Sequence, residues 1–300
     1  MLIPFVNLKK QSELEKKVII SSVKKVLKKS NFILDKINEL LEKKIAKYSK
    51  SKYCALLNSG TDALTLALHV AGVKRNDEVI TCSNSFIASA SSIVHLGAKP
   101  IFVDVKRDQN IDPKLIEAKI TKKTKAIMPV HLTGRVCDMP AIMKIARKYK
   151  LKVIEDAAQS FGSKYKNKHA GTFGDIGCFS LHPLKNLNGI GDGGLIITNN
   201  REYYKRISSL RNHGIRDRNN VDEFGYVSRY DSLKASILMN RLKNLKFIIN
   251  QRRKNAKIYK KLINNPNVFM PDEKKFEFNT YHTFIVQVKR RSKLIKYLKK

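Results

Sequence analysis

What this chain lacks narrows it first. Its four cysteines, Cys54, Cys82, Cys137 and Cys178, are far apart and form no CxxC pair, so neither a disulfide framework nor a zinc site is expected. Cys54 and Cys178 fall inside apolar, strand-like runs, where a free thiol behaves as a small hydrophobe. The seven histidines are equally dispersed, with no HExxH or similar ligand spacing, and a metal centre built on them is not expected. No apolar run approaches the roughly 18 residues that cross a bilayer. The N-terminus, MLIPFVNLKKQSELEKK, becomes charged too early for a signal-peptide core. A cytoplasmic protein with no membrane partner is therefore expected.

Acidic residues are also scarce. Against 25 Asp and Glu stand 60 Lys and Arg, a formal net charge of +35. That excess raises a nucleic-acid reading. The lysines, however, are spread over the whole chain, from KKVIISSVKKVLKKS to VKRRSKLIKYLKK, and no RNP-like aromatic motif or finger spacing accompanies them. A solvated basic surface is the plainer reading, with no specific nucleic-acid partner, and it would still draw in anionic small molecules. The 300 residues are 42% hydrophobic and 28% charged, a globular balance with ample chain to bury a core.

What is present is a change of rhythm. The first fifty residues, in SELEKKVIISSVKKVLKKS and LDKINELLEKKIAKYSK, space apolar residues three and four apart, which predicts helices. From Tyr53 short apolar strands (YCALLN, DEVITC, KPIFVDV, KAIMPV, LKVIED) alternate with helical segments. DPKLIEAKI adds an N-terminal helix signal in Asp112 and Pro113. That alternation predicts βαβ units and a three-layer α/β/α fold around a mostly parallel sheet. After Asp156 a loop-rich stretch precedes the strands GCFSL and GGLIITN. A long periodic segment from about Asp231 to Asn264 predicts one helix bridging towards a second domain. The remainder, FNTYHTFIVQVKRRSKLIKYLKK, predicts one strand and one basic helix, with little to pack against.

Three stretches could carry chemistry. NSGTDAL ends a strand, turns on Gly60 and opens a helix with Thr61. Free backbone N–H groups and the helix dipole make such a turn an anion site, although on its own it is equally an ordinary N-cap by Ser59 or Thr61. VIEDAAQ delivers Glu155 and Asp156 to the carboxyl end of a strand, where open α/β sheets bind ligands; the other reading of Asp156 is a cap on a following helix. FSLHPLKNLNGIGDGG sets Lys185 between a proline turn and Gly189, Gly191, Gly193 and Gly194. A lysine in a tight, partly desolvated pocket has a lowered pKa and attacks carbonyls, while a single lysine among so many is more often a solvated charge. Together, an anion site, a buried carboxylate and a pocket lysine are the handles that pyridoxal phosphate needs for its phosphate, its ring nitrogen and its aldehyde.

In that order and over most of its length, the chain resembles the DegT/DnrJ/EryC1/StrS family of sugar aminotransferases, which have the fold-type I pyridoxal-phosphate architecture. The resemblance runs through LNSGTDALTLAL, VITCSNSFIASASSIVHLGAKPIFVDV, AIMPVHLTGRVCDM, VIEDAAQSFGSKYKNKHAGTFGDIGCFSLHPLKNLNGIGDGG and LRNHG. It implies that Lys185 binds the cofactor aldehyde and shuttles protons. Asp156 would pair with the pyridine nitrogen, and Gln159 would lie near the ring hydroxyl. Gly60, Thr61 and Ser180 would hold the phosphate, and Phe86 would stack on the ring, unless Phe86 is plain core. Two departures stand out. Where the family reads GYNSR, with an asparagine reaching the phosphate of the neighbouring subunit, this chain reads GYVSR, and Val227 cannot donate a hydrogen bond. The family also continues past a segment like YHTFIVQVKRRSKLIKYLKK, whereas this chain stops at Lys300.

The resemblance thus implies a pyridoxal-phosphate aminotransferase moving an amino group from glutamate to a nucleotide-linked keto-sugar. The HPLKNL and GDGG context is closer to members acting at a 3-keto than a 4-keto carbon. A homodimer with shared active sites is implied too. Residues 1–240 are expected to form the cofactor-binding large domain, and 241–300 a bridging helix and an incomplete small domain. The alternatives are a sugar dehydratase of the same fold, in which a histidine takes the lysine position, and a non-catalytic basic regulator or nucleic-acid binder.

Overall fold

Short apolar runs in five segments produce five strands, four of them largely buried and the fifth, KPIFV, at the edge of the sheet, and their register fixes everything that follows. The computed structural model describes Pro4 and residues 6–299; the reading of the N-terminus rests in part on residues 1–3 and 5, which lie outside the described ones, as does Lys300. Helices α1 (Leu8–Lys29) and α2 (Lys36–Ser49) come first. The repeat then runs β1 (Tyr53–Leu57), α3 (Gly60–Val70), β2 (Glu78–Cys82), α4 (Ala88–Val94), β3 (Lys99–Val103), α5 (Pro113–Ile116), β4 (Thr124–Met128), α6 (Met139–Lys148) and β5 (Lys152–Asp156). The loop-rich stretch holds a small hairpin, β6 (Lys164–Tyr165) and β7 (Lys168–His169), before β8 (Ile176–Ser180) and β9 (Gly194–Thr198). Helices α7 (Arg201–Leu210), α8 (Ser232–Leu262) and α9 (Arg291–Leu298) complete the α-helices among the described residues.

The main sheet has seven strands in the order β1-β9-β8-β5-β4-β2-β3. Its pairings are parallel except for the two made by β9. Every strand but β9 therefore ends on one edge, and β9 starts there. In open α/β sheets that carboxyl edge is where ligands bind.

Successive side chains of a strand point to opposite faces, and both faces are buried here. Cys54, Leu56, Val153, Leu195 and Ile197 join one apolar cluster, with Leu41 and Ile45 of α2 and Leu245 and Ile249 of α8. Ala55, Leu57, Ile154 and Ile196 join the other, with Leu64 and Leu68 of α3 and Ile207 and Leu210 of α7. This is the three-layer α/β/α sandwich that the alternation predicts. All four cysteines are free and buried, and no group of histidine, cysteine and carboxylate side chains among the described residues could hold a metal. No described helix is long and apolar enough to cross a membrane.

Two expectations are corrected. FNTYHTFIVQV is not one strand: Glu277–Phe278 pairs with β6, Gln287–Val288 pairs with Val268–Phe269, and the residues between follow an irregular path. No helix follows Asp156, which is succeeded by turns, so it caps nothing. The long periodic segment is a single helix, as read.

Candidate active site

Five loops leaving the carboxyl edge enclose a cavity of about 480 Å³. Its wall includes Gly60, Thr61, Phe86, Asp156, Gln159, Ser180 and Lys185, and so gathers every residue singled out above as a cofactor contact.

Each arrives for a local reason. Ser59 caps α3, its Oγ accepting from Asp62 N at 3.0 Å. The first N–H groups of any helix lack intrahelical partners, which leaves the N-terminus of α3 open to an anion. Gly60 is there for space: a Cβ on it would stand 2.8 Å from Ser180 Cβ, so helix and strand end meet only because that atom is missing. Asp156 closes β5 at 4% exposure. Its Oδ2 accepts from Ser89 Oγ at 2.6 Å and its Oδ1 from Ala158 N at 3.2 Å. Gln159 Oε1 accepts from Thr133 N at 2.8 Å, which orients the side chain. Phe86 is 71% exposed; it is not core, and an aromatic side chain is left free at the cavity.

Lys185 sits in a loop closed by hydrogen bonds from Leu181 N to Gly193 O (2.8 Å) and from Gly189 N to Leu181 O (2.6 Å). None of the nearby glycines has a left-handed φ, and Gly189, Gly193 and Gly194 serve close approach. A Cβ on Gly189 would come to 2.8 Å from the Tyr230 hydroxyl, and one on Gly193 would collide with the Tyr230 ring. Burial pushes the Lys185 amine below the usual lysine range, and the nearby Asp156 carboxylate partly opposes it. Such an amine is free of its proton more often than a surface lysine.

Two supports went unread in the sequence. Arg241 of α8, 9% exposed, donates through Nη1 to Asn188 O (2.9 Å) and Gly189 O (2.7 Å). Its Nε and Nη2 meet Glu15 Oε2 of α1 at 2.9 and 2.7 Å, so α1 and α8 together clamp the lysine loop. Glu155, 0% exposed, accepts from His131 Nε2 (2.8 Å) and from the N–H groups of Gly171 (2.7 Å), Phe173 (2.6 Å) and Gly174 (2.6 Å). His131 Nδ1 in turn accepts from Cys137 N at 3.2 Å, which places the ring proton on Nε2 and leaves the imidazole neutral. Glu155 thus bolts the end of β5 and fixes Asp156, the next residue. The apolar flanks of VIED were the only sequence signal, because a carboxylate among them needs partners. His182, Asp192 and His282 also line the cavity.

Comparison with known proteins decides the family. The model of the DegT/DnrJ/EryC1/StrS aminotransferase family matches residues 13–300. This chain belongs to that family. Its relatives include a pleiotropic regulatory protein of Geobacillus stearothermophilus, 40% identical, with 100% of this chain and 82% of that one covered. Another is a UDP-N-acetyl-3-dehydro-α-D-glucosamine 3-aminotransferase of Acidithiobacillus ferrooxidans, 38% identical, covering 96% and 79%. Among solved structures, DesV of S. venezuelae in complex with a ketimine intermediate superposes with a TM-score of 0.96 at 34% identity, covering 99% and 81%. NtdA of Bacillus subtilis with bound cofactor PMP follows at 0.90 and 33%, covering 98% and 68%. The chain is a sugar aminotransferase, an enzyme of this family that uses pyridoxal phosphate.

The residues present suit that cofactor. A capped helix N-terminus with Ser180 beside it suits a phosphate. Phe86, Val130 and Ala158 give apolar wall for an aromatic ring. A buried carboxylate and a desolvated amine complete the donor set. Val227 is 59% exposed and is not among the lining residues; its neighbour Ser228 is buried, donating to Asp62 Oδ2 at 2.7 Å and accepting from Asn58 N at 3.2 Å.

Proposed function

We propose that this enzyme transfers an amino group from glutamate to the keto carbon of a nucleotide-linked sugar, with a 3-keto sugar favoured. The observation that carries the reading is one cavity at the carboxyl edge in which a desolvated Lys185 faces Asp156, with an anion-binding helix start beside them. The relative named for UDP-N-acetyl-3-dehydroglucosamine supports the 3-keto position.

Bound there, pyridoxal phosphate supplies an aldehyde that carries the transferred nitrogen and a ring that absorbs electrons. Asp156, fixed by Ser89 and the Glu155 bolt, would hold a proton at the ring nitrogen. The N-terminus of α3 with Thr61 and Ser180 would bind the phosphate, Gln159 would meet the ring hydroxyl, and Phe86 would cover the ring. Lys185 Nζ would take the proton from the donor's α-carbon and deliver one to the carbon that had been the sugar's ketone. Its lowered pKa suits it to both directions, since a general base works best near the operating pH. A homodimer that shares this site, formed largely by residues 1–240, belongs to the same proposal; Ile87, exposed beside Phe86, offers apolar surface for it. Residues 241–300, the rest of α8 and the segment after it, would form the smaller unit.

The test is an assay of purified enzyme with glutamate against a panel of nucleotide keto-sugars, read by mass spectrometry. Amination of a UDP- or dTDP-linked 3-keto sugar is expected. Turnover of none of them, or amination at C4 alone, overturns the substrate assignment. Borohydride reduction with pyridoxal phosphate should leave its adduct on Lys185, and an adduct elsewhere overturns the residue assignment.

A further inference from the structure

Among the cavity residues with no part in the chemistry so far, His282 stands apart. His282 lines the same wall as Lys185 and Asp156, yet it comes from the C-terminal segment rather than from the sheet edge. The fold commits several groups to bringing it there. Thr280 N donates to Gly134 O at 3.0 Å, and Ser163 Oγ lies 2.9 Å from Thr280 Oγ1. Gly134 turns with φ +92, and a Cβ on it would meet Tyr281 N at 2.9 Å and His282 N at 3.0 Å. Tyr281 takes the left-handed conformation, φ 48, which side-chain-bearing residues adopt at a cost. Arg252 of α8 then holds His282 O at 2.9 Å. The ring delivered this way has a buried Nδ1 with no hydrogen-bond partner among the described residues.

Nδ1 is closed off on the protein side, and the ring's other nitrogen, Nε2, has no hydrogen-bond partner among the described residues either; on a half-buried ring at the cavity wall, Nε2 is the open place for a hydrogen bond from whatever enters. The chemistry of the visitor follows from charge. Burial, with Lys185 and Arg252 adding repulsion, lowers the His282 pKa to about 3, so the imidazole is neutral at working pH. In a neutral ring Nε2 is a donor in one tautomer and an acceptor in the other, which suits a hydroxyl, itself both donor and acceptor. It gives little to the carboxylates of an amino-acid donor, which call for cations. The position beside the Lys185 amine puts that hydroxyl next to the reacting carbon.

We propose that His282 is a specificity-determining residue that hydrogen-bonds the sugar hydroxyl neighbouring the aminated carbon, and that it acts in the sugar half-reaction alone. This rests on the nucleotide-sugar reading above. In a 3-amino sugar bearing a 2-acetamido group, the hydroxyl in question is that on C4.

The experiment compares wild-type holoenzyme with His282→Ala and His282→Gln in single-turnover mixing, followed by cofactor absorbance. One reactant is glutamate; the others are the 3-amino derivative of UDP-N-acetylglucosamine and its 4-deoxy form. A neutral hydrogen bond corresponds to a factor of about ten. His282→Ala should lose roughly that factor with the 4-hydroxy sugar, recover it in His282→Gln, and match wild type with the 4-deoxy sugar and with glutamate. Calorimetric titration with unreactive UDP-N-acetylglucosamine should show the same weakening in His282→Ala. Equal losses with glutamate and sugar, an undiminished loss with the 4-deoxy sugar, or no loss at all would each overturn the inference. A wild-type enzyme that reacts with glutamate but with neither sugar removes the substrate reading, and the inference with it.

Discussion

Replacing Glu155 by glutamine changes one oxygen to NH2 and nothing else in shape, yet it should be among the most damaging substitutions in the molecule. Oε1 accepts from Phe173 N and Gly174 N, and Oε2 from His131 Nε2 and Gly171 N. Whichever oxygen becomes the amide, a donor then faces donors. With the NH2 at the Oε1 position, two backbone N–H groups lose their acceptor. At the Oε2 position, Gly171 N loses its acceptor, and His131 must either lose its own or move its proton to Nδ1, against Cys137 N. Two hydrogen bonds to a charged acceptor, at about 1.5–3 kcal/mol each, give ~3–6 kcal/mol. Burying a neutral amide in place of a carboxylate returns part of this, leaving about 3–4 kcal/mol. That is a large fraction of the roughly 5–15 kcal/mol by which a domain is stable. Urea unfolding of wild type and Glu155→Gln, compared at equal m, measures it. A loss below about 1 kcal/mol would mean that the four contacts are not those of a bolt, and the account of how Asp156 is held would fall with it.

Other perturbations follow from the same geometry. Arg241→Met leaves the carbonyls of Asn188 and Gly189 without their donor and should lower stability by about 2–4 kcal/mol. Arg241→Lys should recover part, and unfolding midpoints within error of wild type would refute the clamp. Gly60→Ala pushes a methyl against Ser180 and should weaken pyridoxal phosphate binding measurably in a fluorescence titration while the apo protein stays folded; unchanged affinity would detach Gly60 from the phosphate site. Val227→Asn should tighten cofactor binding if that position faces a neighbouring subunit's phosphate, and no change in affinity would place it elsewhere. Burial lowers the Lys185 pKa, so capture of pyridoxal phosphate should reach half its maximal rate below the pH near 10.4 expected of a free lysine. Between the folded and unfolded pKa values the unfolded chain holds the extra proton. Stability is therefore lost as pH falls through that window and regained as it rises, a trend that Lys185→Met should abolish in apo-protein melting curves.

Much of this was legible in the sequence because it is local or periodic. The strands from YCALLN to LKVIED show themselves by short apolar runs, and the helix over Ser232–Leu262 by its spacing. Once parallel pairing is granted, the site's position follows, since Gly60, Asp156 and Ser180 each sit at or just past the end of a strand. What escaped notice is pairing between distant residues. Nothing near Arg241 announces that its partners are Glu15 and two carbonyls beyond Lys185, and two-residue strands such as Glu277–Phe278 have no period to detect. The glycines after Lys185 show the difference well. Their density marked a special place, but sequence could not distinguish a left-handed turn from a close approach, and it is Tyr230, some forty positions on, that requires Gly189 and Gly193, and the Ser59 backbone that requires Gly194.

His282 lies at the far end of that range. Its motif, YHT, interrupts an otherwise strand-like run, and a polar interruption there fits either a frayed edge or a side chain turned into a site. The two differ physically in whether the backbone around it is held. Here Gly134 and Ser163, through Thr280, and Arg252 all hold it, in a conformation that Tyr281 would not adopt unaided. A frayed edge is not fastened at three points. The same fastening explains why the C-terminal segment can finish a cavity whose other walls come from the sheet edge. Cutting one tie without touching the ring, as Ser163→Ala would, should weaken binding of the nucleotide sugar and leave reaction with glutamate unchanged. Equal losses in both would show that the segment braces the whole cavity rather than the sugar's side of it.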